Sequence, residues 1–470
     1  MKVLNIYVYF VVFFAFAEIL TAQSIAEPLQ NLLSFEEYLG FVKQHHPLVK
    51  QANLVLEQGE ANLLKARGGF DPKVEVDYDR KKFKDIEYYD QLNATFKIPT
   101  WYGVEFKADF EENTGAFLNP NLNVPEGGLY SAGVSFSLAQ GFLMNERMAS
   151  LKKAKFFREQ TQADRNLLVN TIIFNASKAY FKWVQATIEQ QIYNEFLKNA
   201  SIRLEAVNQS VAAGDKAAID ITEARIAKQN RALALEAASL KRRKAALEVG
   251  TFLWLNDVPL TLQENIRPLQ PEVSSLQASL MLDGITNMDA LLVSHPKLLS
   301  LDAKIDVLEI DKRLKQNKLL PKLDLQYNFL SQEADQFSAF TAANYKAFVN
   351  FSIPIFLRKE RGDLRLATIK IKDAAFERAA IQLTLKNKID AIAAEISSLN
   401  TQNNMVATIV EDYQTLVNAE ERKFFLGESS LFLINSREQK LIDAQLKQNQ
   451  ISIKALKATA QLYNVLGRDI

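Results

Sequence analysis

Residues 363–426 read DLRLATIKIKDAAFERAAIQLTLKNKIDAIAAEISSLNTQNNMVATIVEDYQTLVNAEERKFFL, with neither glycine nor proline. Leu385, Ile392, Leu399, Val406 and Tyr413 recur every seven residues, and Ile389, Ile396, Val410, Val417 and Phe424 fill a second seam, with Asn403 and Glu420 as polar exceptions. A 3-4 alternation of this kind puts one apolar stripe on a helix and favours knobs-into-holes packing against other helices. At 1.5 Å per residue the helix would be about 96 Å long. Asn403 either fixes the register of that packing or borders a water-filled lumen.

Outward from this stretch, Gly427 stops the helix and Glu428–Leu466 reads as a return helix ending at Gly467. Upstream, Lys322–Asn328 alternates: Leu323, Leu325, Tyr327 and Phe329 fall on one side, Lys322, Asp324, Gln326 and Asn328 on the other, the period of a strand. Each of these features has a copy nearer the N-terminus. His295-Pro296 repeats His46-Pro47 at an offset of 249 residues, Pro321-Lys322 repeats Pro72-Lys73 at the same offset, and so do Leu323, Leu325 and Tyr327 with Val74, Val76 and Tyr78. Both His-Pro pairs predict an N-cap followed by a first-turn proline, so the helix Leu33–Arg67 should break and restart there. Val134–Leu138 matches Val349–Ile353 at an offset of 215. Phe142–Ala213 again lacks glycine and proline, ends at Gly214, and is followed by a helical stretch Asp215–Glu248 running to Gly250. The chain is a tandem duplication. Its expected parts are a first repeat 24–256 (strands 73–138, long helices 142–256), a proline-marked linker 257–290, and a second repeat 291–470 (strands 322–355, long helices 363–466). The first repeat holds 34 extra residues between its anchor strands, rich in Tyr88, Tyr89, Phe96, Trp101, Tyr102, Phe106 and Phe110, which predicts one or two added strands. Tyr88, Tyr89, Trp101 and Tyr102 suit either an interfacial girdle or ordinary packing of a strand face.

Residues 1–23 read as a secretory signal peptide, an apolar run from Val3 to Leu20 with a small-residue site near Ala22 or Gln23. No later run is long and apolar enough for a membrane-spanning helix, so any spanning part must be β-barrel. An exported chain of 470 residues without a cysteine has no disulfide scaffold and stands on packing alone, which suits a bacterial envelope. The sequons at Asn93, Asn175, Asn199, Asn208 and Asn350 are of a kind frequent by chance. A net charge of +1 argues against a polyanionic partner such as nucleic acid, and Lys241–Lys244 reads as a solvated helix face. Three histidines, no phosphate-binding glycine loop and no nucleophile elbow leave no basis for an enzyme, a metal centre or a cofactor site.

The alternating strands suit lipid on one face and water on the other, and Lys73–Phe83 has the roughly 9–11 residues a tilted strand needs to cross a bilayer. Four to six strands per chain fall short of the eight of the smallest single-chain barrels, so strands would be pooled between subunits. With these residues assembled, the chain resembles the TolC family of outer-membrane efflux channels over Leu33 to about Arg468. The resemblance rests on the duplicated His-Pro openings, the duplicated proline before a strand, and the helix, glycine, helix order at Gly214-Asp215-Lys216-Ala217-Ala218-Ile219-Asp220-Ile221 and Gly427-Glu428-Ser429-Ser430-Leu431-Phe432-Leu433-Ile434.

The resemblance implies an α+β membrane protein: tandem-duplicated long α-helical hairpins forming a periplasmic α-barrel, with short strands contributing to a trimeric transmembrane β-barrel of at least twelve strands. It implies a homotrimer in the outer membrane of a Gram-negative bacterium, in contact with outer-membrane lipid. Such a channel is the passive exit duct of a tripartite export system, coupled to an inner-membrane pump through a periplasmic adaptor. It further implies that Gly214, Asp215, Lys216, Leu426, Gly427, Glu428, Ser429 and Ser430 form the periplasmic tip and adaptor contact, with Asp220 and Glu223 as a possible acidic gate. The second repeat has Leu433 and Ser436 at the gate positions, so the acidic pattern is present in one helix pair only. Asp220 and Glu223 also fit an ordinary solvated helix face. The alternative reading of the residues themselves is a soluble periplasmic coiled-coil scaffold with a small β-domain and no pore.

Overall fold

The long helix expected from residue 363 begins earlier, at Arg358, and runs through Gly362 to Phe425. One glycine in a helix interior costs about 1 kcal/mol against alanine, which 68 residues of continuous helix absorb. The structure is a computed structural model that describes residues 32–282, 288–333 and 337–468; the signal peptide lies outside the described residues.

The chain opens with helices α1 (Phe35–His45) and α2 (Pro47–Arg67), broken at His46 as expected. Strands β1 (Lys73–Phe83), β2 (Ile86–Pro99), β3 (Val104–Thr114) and β4 (Leu129–Ala139) follow, then α3 (Glu146–Ala212) and α4 (Ala218–Gly250). The second half supplies α5 (Pro296–Asn317), β5 (Lys322–Ser331), β6 (Tyr345–Ser352), the long helix α6 (Arg358–Phe425) and α7 (Leu431–Leu466). The return helices start three residues later than expected because the residues after each glycine form a turn. In the linker stretch lie the short helix Val273–Ser279 and the two-residue strands Val258–Pro259 and Arg267–Pro268, with the strand Trp254–Leu255 just before it and the helix Met288–Val293 running past its end.

The six labelled strands form one antiparallel sheet in the order β6-β5-β4-β3-β2-β1. The 34 extra residues of the first half thus account for two whole strands, β2 and β3. The turn between them is anchored by Trp101, which stacks on Phe70 at 5.6 Å and packs against the cluster of Met144, Met148, Ala149, Ile310 and Leu314. Tyr88 stacks instead on Phe117 at 4.7 Å.

The chain divides into two compact units, and each draws on both halves of the sequence. One comprises residues up to Val42 with Ala176–Leu276 and Thr401–Lys457. Its core is aromatic: Phe35, Tyr38, Tyr180, Phe181 and Trp183 are all buried. The Tyr180 hydroxyl lies 2.7 Å from the carbonyls of both Leu33 and Leu269, donating to one at a time, where Leu33 pairs in parallel with Pro268. Burial pushes this phenol up. The heptad seam of α6 is buried in the same unit where Val417 and Tyr413 meet Phe196, Leu441 and Ile442. Its two polar exceptions are both bonded: Asn403 accepts from the Ser452 hydroxyl at 2.9 Å, and Glu420 accepts from Ser429. Asn403 therefore pins α7 against α6, the register role.

The other unit comprises Lys43–Asn175, Gln277–Asn400 and the residues from Ala458 on. It holds the six-stranded sheet and both histidine caps. His46 Nδ1 accepts from the Leu48 amide at 3.2 Å and His295 Nδ1 from the Lys297 amide at 3.0 Å. With Nδ1 an acceptor, the His295 proton sits on Nε2, which donates to the Val465 carbonyl at 2.8 Å. Burial pulls the His295 pKa below its ordinary 6.5, partly opposed by that hydrogen bond.

A neutral buried histidine binds fewer protons than the unfolded chain does, so its contribution is intact above pH 6.5 and drains away as pH falls toward the lowered folded value. Denaturation in detergent should show His295→Ala less stable by about 0.5–2 kcal/mol at neutral pH. His295→Asn keeps a capping side chain, and the wild type should lose stability relative to it as pH drops below 6.5. An unchanged difference between these two proteins across that range would contradict the assignment.

Candidate channel wall and helix tips

The sheet's alternation produces two faces of opposite character. On one, register places Val74, Phe96, Ala108, Ala132, Phe329 and Tyr345 in a single row across all six strands. A neighbouring row runs Ile98, Phe106, Val134, Tyr327 and Ala347. On the other face the corresponding row is Lys73, Lys97, Lys107, Gly133, Asn328 and Lys346. Beside it Glu75, Thr95, Asp109 and Ser131 line up, and Lys97 is paired with Glu75. Both faces are exposed on the marginal strands β1 and β6, and on the inner strands the apolar face is the more exposed, with Phe96 42 %, Phe106 49 % and Phe136 42 % accessible while Thr95, Ser131 and Asn328 of the polar face are buried. An uncovered apolar sheet face of this extent fits lipid, and the strand lengths of 8–14 residues fit a tilted crossing. Among the described residues no helix is long and apolar enough to cross a membrane.

The two helix turns form the second candidate site. Gly214 (φ +86°) and Gly427 (φ +79°) adopt the left-handed conformation that only glycine takes without strain. Each closes a Schellman motif. The Asp215 amide reaches the Ser210 carbonyl at 2.9 Å and Gly214 reaches Val211 at 3.0 Å; Glu428 reaches Lys423 at 2.8 Å and Gly427 reaches Phe424 at 3.1 Å. The turns touch each other, since the Lys216 ammonium sits 3.5 Å from the centre of the Phe424 ring above a cluster of Val207, Ala224, Phe424, Leu431 and Ile434. Ser430 caps α7 through the Leu433 amide at 3.4 Å, whereas its counterpart Ala217 has no side chain with which to cap α4. Phe425, Leu426 and Phe432 are left exposed around the turns. Asp220 is half-buried in the first turn of α4. The Glu223 carboxylate accepts from Asn435 Nδ2 at 3.4 Å, so it is engaged within the chain.

Asn435 leads to a buried ionic network that sequence reasoning missed. Glu438, 1 % exposed, accepts from Arg203 at 3.1 and 3.4 Å and faces Arg231 at 3.5 Å. Arg203 also holds Glu421 at 3.2 Å, and Arg231 donates to Gln439 at 2.6 Å. Four helices are tied here by one buried carboxylate and two guanidinium groups. Its sequence signal is a charge at a heptad position: Arg231 stands in the seam Ala224, Arg231, Ala238, Ala245, where the other members are alanines.

A second seam on α4 was also overlooked. Ile219, Ile226, Leu233, Leu240 and Leu247 recur every seven residues, and each is 53–72 % exposed. Among the described residues nothing covers this stripe of large apolar side chains with coiled-coil spacing.

Residues 287–468, close to the second repeat, match the family model for outer membrane efflux proteins. This part of the chain is similar to that family. A curated member, the pyoverdine export outer membrane protein OpmQ of Pseudomonas putida, is 21 % identical over 318 residues, which is 66 % of this chain and 64 % of that protein, just under two thirds. The fold is shared over 92 % of the chain with the Campylobacter jejuni CmeC outer membrane channel (TM-score 0.66, 15 % identity, 85 % of that chain). It is shared equally with the open-state MtrE channel of Neisseria gonorrhoeae (TM-score 0.65, 13 % identity, 88 % of that chain) and with VceC of Vibrio cholerae (TM-score 0.65, 12 % identity, 95 % of that chain). These structures share the fold of both repeats, including the first half that the family model leaves unmatched.

Removing Glu438 leaves two buried guanidinium groups without their shared counter-ion. Glu438→Ala should destabilise the helix packing around it by about 3–5 kcal/mol. Amide exchange in α7 around Ile434–Leu441 should then accelerate by at least a hundredfold, with Glu438→Gln intermediate. Exchange unchanged in both variants would show that the network holds nothing together.

Proposed function

We propose that this protein is the outer-membrane channel of a tripartite export system. Three copies pool their sheets into one barrel with the apolar face toward lipid and the polar face toward water. Their long helices, packed through heptad seams, form the periplasmic duct. The observation that carries this reading is the sheet: one layer, apolar across six strands on one face, polar on the other, with the apolar face uncovered. A soluble scaffold would have to expose that face to water. The uncovered α4 seam supports the trimer, since a neighbouring subunit's helix is the natural partner for a stripe with coiled-coil spacing.

The periplasmic adaptor docks at the turns around Gly214 and Gly427, where Phe425, Leu426 and Phe432 supply exposed apolar contacts between Lys216 and Glu428. The channel itself is passive. An inner-membrane pump supplies the energy and chooses the cargo, as a broad polar lumen has no pocket with which to select.

The protein should float with outer membranes, resist salt extraction and run as a heat-sensitive trimer in mild detergent. Leu233→Glu with Leu240→Glu should abolish the trimer band and cut export by at least tenfold. Leu426→Asp should leave the trimer intact and lose crosslinking to the adaptor. A monomer recovered from the soluble periplasmic fraction would overturn the reading.

A further inference from the structure

Among the described residues the six-stranded sheet ends in two edges without a paired strand, β1 and β6, whose residues are exposed along almost their whole length. Backbone groups on such edges have no partner in a bilayer unless another strand supplies one. The number of strands decides what kind of strand fits. All neighbours in the sheet are antiparallel, so with six strands β1 and β6 run in opposite directions. A second copy can therefore lay its β1 beside β6 and continue the same alternation.

The duplication supplies the register of that junction. Inside the chain the two repeats meet at β4–β5, where Leu138 faces Leu323, Ser137 faces Asp324, Phe136 faces Leu325 and Val134 faces Tyr327. β6 is the copy of β4 at an offset of 215, and β1 is the copy of β5 at an offset of 249. Transferred to these copies, the pairing becomes Ile353 with Val74, Ser352 with Glu75, Phe351 with Val76 and Val349 with Tyr78. Apolar residues then meet on the apolar face, continuing its rows across the joint. On the polar face Asn350 meets Asp77. The Ser137 hydroxyl donates to Asp324 at 2.8 Å in the internal junction, and Ser352 stands in the same relation to Glu75. The one like-charged pair, Lys346 with Lys81, lies at the far end, where Lys346 is already held by Glu111 at 3.1 Å. A slip of one residue would turn every apolar side chain of the joint to the polar face.

We infer that three copies close as an eighteen-stranded barrel through a β6-to-β1 joint whose register repeats the internal β4–β5 junction. The inference rests on the pore reading above and extends it, because β2 and β3 lie within the wall rather than outside it. Strands about 4.8 Å apart and tilted by about 40° give a wall roughly 36 Å across for eighteen strands, against roughly 24 Å for twelve. The two added strands are thus the source of a wider outer-membrane exit.

The chain has no cysteine, so introduced pairs are the only thiols present. Ser352→Cys with Glu75→Cys in the full-length protein, oxidised in isolated outer membranes, should give covalent dimers and trimers. Asn350→Cys with Asp77→Cys carries the same expectation if the first pair perturbs assembly. Ser352→Cys with Val76→Cys, on opposite faces, should give none. In the same membranes Asp79→Cys with Gln91→Cys should close within one chain, because β1 lies beside β2. A heat-sensitive trimer without the covalent ladder overturns the joint and leaves the pore reading standing. A ladder without the Asp79–Gln91 bond shows a wall that bypasses β2 and overturns the eighteen strands. A soluble monomer overturns the pore reading and this inference with it.

Discussion

A sheet one layer thick, apolar on one face and polar on the other, requires a different solvent on each side. In a soluble domain the apolar face would be met by a second layer. Among the described residues the exposed margins at Val74, Val349 and Phe351 have none, and in the proposed channel a bilayer supplies what the chain does not. The same constraint acts along the edges, where unpaired amides and carbonyls of β1 and β6 need strand partners once water is excluded. In the proposed channel, membrane insertion and association with further copies are thus two consequences of one incomplete sheet.

The helices repeat this logic with side chains. Each long helix carries one seam satisfied within the chain, and α4 carries a second that is not. The inner seam of α4 is built from Ala224, Ala238 and Ala245, small enough for close approach, with Arg231 committed to Glu438 and Gln439. The outer seam, Ile219 to Leu247, is large and bare. Small residues inside and bulky ones outside fit a helix that is packed in its own subunit first and against a neighbour second.

Much of this was legible in the sequence because the signals were periodic and written twice. The His-Pro caps and the strand copies appear where the repeat offsets place them, and the heptad helix and the glycine turns where their own residues place them, since each depends on local backbone chemistry. Long-range pairing was less accessible. Residues Arg203, Arg231 and Glu438 come together from three helices, and in the sequence only Arg231 stands out, as a charge in a seam of alanines. The two extra strands were foreshadowed by aromatic residues between Tyr88 and Phe110, but their place inside the sheet depends on the Trp101 turn packing on the helices below. Glu223 was singled out by its spacing from Gly214, and the bond of its carboxylate to Asn435 is a contact that spacing alone does not show.

The central claim, that the apolar face of the sheet meets lipid and the polar face meets water, is tested most directly along one strand. Single cysteines introduced in turn at residues 346–351 of β6 and spin-labelled in outer membranes report collisions with oxygen, which concentrates in lipid, and with an aqueous nickel chelate. The account predicts a period of two, with Ala347, Val349 and Phe351 reached by oxygen and Lys346, Phe348 and Asn350 reached by nickel. Equal access of nickel to both sets would contradict it.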